Sequence, residues 1–132
     1  DEPVEVITGA DYYYKNGRHY ILYDEMIPES GREVKNIIKI GCGRVDVIRR
    51  GPQSTHMVFE PDKKNMTYYT TPYGNMMIGI NTTNIDCRED EMNIEAKIQY
   101  ALDINESHVS DCEITVNITS KEDKSFRLLG KN

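Results

Sequence analysis

The chain has 132 residues and a net charge of −6, from 16 Lys and Arg against 22 Asp and Glu. That length suits one domain with its own core. An acidic domain gains no counterion release from phosphates, which argues against nucleic acid and anionic membrane surfaces as partners. Ile and Val total 23 against 7 for Leu and Ala, with nine Tyr and no Trp. β-branched and aromatic residues fit pleated, half-buried surfaces, so an all-helical fold is set aside at once.

The dominant period is two. Val4 to Tyr14 alternates, and Lys15-Asn16-Gly17-Arg18 supplies an Asn-Gly hairpin turn before His19 to Asp24 returns. Pro28 to Gly31 is a loop, Val34 to Ile40 runs out, Gly41-Cys42-Gly43 turns, and Arg44 to Arg50 runs back. Gly51-Pro52 breaks that strand. Ser54 to Glu60 follows, then a turn over Pro61 to Asn65. Thr67 to Thr71 and Asn75 to Cys87 flank Pro72-Tyr73-Gly74. From Met92 to Ile104, apolar even positions alternate with mostly polar odd ones. Asn105 to Asp111 is predicted to turn, and Cys112 to Thr119 repeats the alternation. Eight or nine half-wet strands at short spacing predict an all-β fold. A single closed interior suits them best, because closure removes exposed edges. The expected domain covers residues 1–119. Residues 120–132 lose the pattern and form a tail, from which Phe126, Leu128 and Leu129 could dock back.

Motifs for chemistry are sparse. Cys42, Cys87 and Cys112 are scattered, with no CxxC pair for zinc or dithiol redox work, and an odd count fits a reducing compartment. Four N-x-S/T sequons start at Asn65, Asn81, Asn105 and Asn117. Two of these fall within predicted strands, so the excess reads as strand Thr beside turn Asn. His19, His56 and His108 belong to no catalytic motif, no GxSxG elbow occurs, and no cofactor is implied. The balance leans against an enzyme without deciding it; catalysis in the barrel mouth would require a polar cluster converging near Arg49. No apolar run reaches the length of a membrane-spanning helix.

Two features stand out. Alternation places Val45 and Val47 on one face with Arg49. An inward guanidinium either closes one barrel end in an ion pair or anchors an anionic ligand. Tyr12, Tyr13, Tyr14, Tyr20 and Tyr23 crowd one hairpin, and consecutive tyrosines put rings on both faces, as rim packing, a self-association surface or a ligand wall.

Gly9 to Tyr23 reads G-x-x-Y-Y-x-x-x-G-x-x-Y-I-L-Y. Ile37 to Ile40, Val47 to Gly51, Met57 to Glu60, Thr71 to Gly74, Ile80-Asn81-Thr82 and Ile98 to Leu102 follow in order. Over about Val4 to Thr119 this series resembles the bacterial YwiB-like domain-of-unknown-function family. That resemblance implies a calycin-like, or lipocalin-like, antiparallel up-and-down β-barrel of about 8–10 strands in a small cytoplasmic protein. It carries over no catalytic residues. Arg49, Gly51, Thr71, Pro72, Gly74, Thr82 and Tyr100 match its recurrent positions. Family members usually have a further strand's worth of residues before the point where this chain starts, so either the first strand is lacking or residues 1–8 stand in for it. The Gly-x-Trp signature of secreted lipocalins is absent.

These readings converge on a small, partly apolar or anionic ligand held inside the barrel. Arg49 would meet an anionic group, Thr82 a hydroxyl or carbonyl, and Tyr73 and Tyr100 would stack or hydrogen-bond. The competing expectation is a pocketless interaction module that self-associates through the Tyr-rich hairpin, as a homodimer.

Overall fold

The first hairpin shows why the alternation becomes a sheet. Asn16 and Gly17 both take positive φ, at 52° and 77°, the conformation a two-residue hairpin turn requires. Around them β1 (Asp11–Lys15) pairs antiparallel with β2 (Arg18–Met26). The computed structural model describes residues 5–41, 43–51 and 54–120. The strands that follow are β3 (Glu33–Gly41), β4 (Arg44–Arg50), β5 (Thr55–Phe59), β6 (Lys63–Thr71), β7 (Gly74–Glu89), β8 (Asn93–Ile104) and β9 (Ser107–Thr119). Every ladder is antiparallel and joins consecutive strands, so the chain is an up-and-down meander.

The meander forms two sheets, β1-β2-β3-β4-β5 and β6-β7-β8-β9. The expected closure of the barrel is not seen as a continuous ladder. Among the described residues no ladder joins β5 to β6 or β9 to β1. Pro61, which has no N–H to donate, and Asp62, at φ 61°, redirect the chain between β5 and β6. At the other seam β1 is only five residues long and fully exposed. Residues 5–10, expected to extend that strand, are exposed and irregular, with Ile7 87% exposed.

The inner faces of the two sheets meet in one core. Ile21, Ile38, Ile40, Val45 and Phe59 from the first sheet pack with Ile80, Ile94, Ala96 and Ile98 from the second. Val45, Phe59, Ile80 and Ile98 are the largest fully buried side chains, so solid packing fills the centre. Burying a side chain of this kind stabilises by about 1.5–3 kcal/mol. His19 on β2 contacts Glu89 at the end of β7, Nε2 to Oε2 at 2.6 Å, and so joins the sheets across the open side.

Other strand limits moved. β6 begins at Lys63, so Asn65 lies in the strand rather than in the expected turn. Asn105 and Glu106 alone turn the chain into β9, both at positive φ. Cys42 and residues 121–132, with Phe126, Leu128 and Leu129, lie outside the described residues.

Candidate functional site

Alternation along β4 and β5 fixes the first cluster. Arg49 pairs with Asn36 on β3 and Thr55 on β5, on the inner face it shares with Val45 and Val47. The Arg49 Nη2 lies 3.5 Å from Glu25 Oε1, and the side chain stays 49% exposed. Asn36, 3% exposed, donates from Nδ2 to the same Glu25 oxygen at 2.7 Å. Tyr23 is the cross-strand partner of Asn36. Burial pushes the Tyr23 phenol up, Glu25 pushes it further, and Arg49 opposes both. This end of the inner face is thus an ion pair with a shared carboxylate, and much of the guanidinium remains open to solvent.

Four residues along β5 from Thr55, the Phe59 ring meets Tyr100, with centroids 4.9 Å apart at 62°. Tyr100 on β8 lies between Thr82 on β7 and Cys112 on β9 in one cross-strand row. Burial first, then the Cys112 thiol by charge and hydrogen bond, pushes the Tyr100 phenol up to about 12. Ser110 Oγ and Cys112 Sγ lie 3.3 Å apart beside it.

Thr82 is 3% exposed, and its Oγ1 has no hydrogen-bond partner among the described residues. Its carbonyl accepts from Asp62 N–H at 2.9 Å, and the β7–β8 register shifts between Thr82 and Asn84. The bulge lets Thr83 face away, where its Oγ1 donates to the Gln99 carbonyl at 3.1 Å. On β6, Asn65 Nδ2 is likewise buried without a partner. Asn65 pairs with Ile80, and Thr82 pairs with Lys63, so Asn65 and Thr82 are diagonal neighbours on one face. At that spacing one oxygen placed between them can accept from both the amide and the hydroxyl.

Of the four residues singled out from the sequence, Thr82 and Tyr100 are thus brought together, and Arg49 lies on the facing sheet toward the other end. Tyr73 is corrected. It sits in the tight turn between β6 and β7, 98% exposed, because Pro72 and Gly74 (φ 122°) turn the chain outward there. It does not line the inner face. Asn65 was missed, although its parity with Thr67 and Tyr69 would have placed it inside.

Two further polar clusters are present. On the outer face Asp46 is 2% exposed. Its carboxylate accepts from Arg44 at 2.8 and 3.1 Å and lies 2.7 Å from His56 Nε2. Burial alone would raise its carboxyl, but hydrogen bonds from Arg44 and His56 outweigh burial and hold it below the usual range. Near the open side, Tyr12 Oη lies 2.7 Å from His19 Nδ1, whose Nε2 contacts Glu89. A depression of about 330 Å³ opens around Glu89, Ile94, Glu95 and Ile118. Arg49, Tyr73, Thr82 and Tyr100 do not border it.

Two antiparallel sheets wound as one meander define an all-β protein. Residues 1–116 match the family described as a domain of unknown function, DUF1934, and the chain belongs to that family. It is similar to the uncharacterized beta-barrel protein YwiB of Bacillus subtilis (strain 168), 26% identical over 116 residues, or 86% of this chain and 80% of the other. It superimposes on the crystal structure of the ywiB protein from Bacillus subtilis with a TM-score of 0.63 at 26% identity, over 86% of this chain and 77% of that one.

Proposed function

We propose that this protein binds a small, elongated, partly apolar ligand against its inner faces, as a lipocalin-like barrel does. The observation that carries the reading is the pair of buried, unpartnered donors, Asn65 Nδ2 and Thr82 Oγ1, beside Tyr100. Buried polar atoms without partners cost about 1–3 kcal/mol each, and folded proteins keep few of them. A ligand carbonyl or carboxylate oxygen satisfies both. Arg49 serves an anionic end. Thr55, its ladder partner, and Phe59, whose ring touches Tyr100, are four residues apart on β5. That separation is roughly 13 Å of strand, the span of an extended chain of about ten carbons. Tyr23, Val47, Met57, Ile85, Ile114 and Val116, partly buried around the packed core, supply apolar surface for the ligand's chain. The scattered cysteines suit a cytoplasmic setting.

The test is calorimetric titration with dodecanoate and, separately, dodecanol. Saturable binding of dodecanoate that weakens at least tenfold in Thr82→Val and in Asn65→Leu supports the reading. Arg49→Gln should weaken dodecanoate and leave dodecanol unchanged. Absence of saturable binding, together with an intact-mass spectrum of the native protein free of any co-purified molecule, would sink it.

A further inference from the structure

β1 forms the outer edge of the first sheet, laddered to β2 on one side and, among the described residues, to nothing on the other. All five of its residues are exposed, with Tyr12 at 48%, Tyr13 at 44% and Tyr14 at 61%. An open edge carrying three consecutive aromatics is a template for strand addition. Proteins normally blunt such edges with charge, Pro or a bulge. Here the only charges are at the strand's two ends, and they are opposite: Asp11 and Lys15.

Hairpin geometry decides which backbone groups are available. A two-residue turn makes its flanking pair, Lys15 and Arg18, a hydrogen-bonded one. By alternation Tyr13 and Asp11 also direct their N–H and C=O groups to β2, leaving those of Tyr12 and Tyr14 pointing off the edge.

We propose that two copies of this chain pair antiparallel through β1 about a twofold axis at Tyr13. That register sets Tyr12 of one copy opposite Tyr14 of the other, so the free backbone groups bond reciprocally. It also sets Asp11 opposite Lys15 twice, once on each side of the axis. One sequence supplies both halves of the match, as an isologous interface demands, and an unrelated edge would not. On the outer face Tyr13 stacks on Tyr20, with centroids 4.7 Å apart at 7°, and Lys39 Nζ lies 5.6 Å from the Tyr20 centroid. Pairing extends this stack across the axis to the Tyr13 and Tyr20 of the second copy. On the inner face the strand is already held, because His19 ties the Tyr12 hydroxyl to Glu89 of the second sheet. The interface is small and gives a weak, concentration-dependent dimer. It does not depend on ligand binding.

The experiment is analytical ultracentrifugation of the full chain from low-micromolar to millimolar concentration, with circular dichroism to verify that each variant folds. The wild type should show a reversible monomer–dimer equilibrium. Asp11→Lys alone or Lys15→Asp alone converts both opposite-charge pairs to like pairs and should weaken association about tenfold. The double swap, Asp11→Lys with Lys15→Asp, recreates both pairs and should restore the wild-type constant. A strict monomer at every concentration overturns the proposal. So does a dimer that the single reversals leave unchanged or that the double swap fails to restore.

Discussion

Replacing Thr82 with Val tests the interior site without needing to know its ligand. Val keeps the β-branched shape and exchanges the unpartnered hydroxyl for a methyl group, at a position 3% exposed. Relief of the unpaired polar atom returns about 1–3 kcal/mol, and a newly buried methyl adds up to about 0.8 kcal/mol. A net stabilisation of about 2 kcal/mol is expected. At about 2.1 cal/mol/K of unfolding entropy per residue, a chain of this length should then melt about 7 °C higher. Urea unfolding should show a higher midpoint at an unchanged slope, and calorimetry should show the rise in Tm. Thr82→Ser is the control: it keeps the hydroxyl, deletes a buried methyl and should cost about 1 kcal/mol. If Thr82→Val instead destabilises by about 1 kcal/mol or more, the hydroxyl has a partner in the folded protein and the argument for a binding position fails. Stabilisation of the empty protein together with loss of dodecanoate affinity identifies a residue kept for binding at a cost in stability.

Asp46→Asn should cost about 1–3 kcal/mol, because it weakens a charge-assisted pair with Arg44 and the contact with His56 on a carboxylate that is 3% exposed. The Asp46 carboxyl is held low in the fold, so its contribution is present above the ordinary carboxylate range and is lost as pH falls through the lowered value. Acid unfolding below about pH 4 should therefore be shallower in the variant. Tyr100 works at the other extreme. Its phenol is raised from an ordinary 10.0 to about 12, so stability is unaffected below pH 10 and falls as pH rises from there to about 12. Tyr100→Phe should remove the Tyr100 share of that alkaline decline and leave the share of Tyr23, whose phenol is also raised, read by urea unfolding across the window. Glu89→Gln weakens the contact that joins the sheets at the open side, and hydrogen exchange of the β1–β2 amides should accelerate while the β8–β9 amides stay protected.

The fold was largely legible because period-two patterning is a direct print of the pleat. The alternation from Met92 to Ile104 becomes β8, with Ile94, Ala96 and Ile98 buried. The Asn-Gly signal becomes a turn at positive φ. Closure was not legible, since alternation says which face a residue takes and nothing about whether the end strands meet. The Val4 to Tyr14 pattern is the clear case, as residues 5–10 carry it without gaining a ladder. The outer face of β4 is a second. Asp46 and Ile48 are both buried there, where strict alternation makes that face wet, because Arg44 and His56 bond the carboxylate across β4 and β5.

The candidate site was half legible for a related reason. A strand's parity is local, so Arg49 and Thr82 could each be assigned inward from a few neighbours. Partnership is not local. Arg49 finds Glu25 from β2 two strands away, and Asn36 between them shares the same oxygen. That arrangement divides the two readings of Arg49 more finely than sequence can. A guanidinium committed to an ion pair would be buried and bidentate. This one reaches a single oxygen at 3.5 Å, remains half exposed, and competes with Asn36 for a carboxylate already bonded at 2.7 Å. A partner so weakly held contributes well under 1 kcal/mol to the fold. Arg49→Gln should accordingly leave stability nearly unchanged, while an anion bound at that end would register the loss in full. Tyr73 failed for the opposite reason: a Tyr between Pro and Gly is governed by the turn, and the turn directs it to solvent.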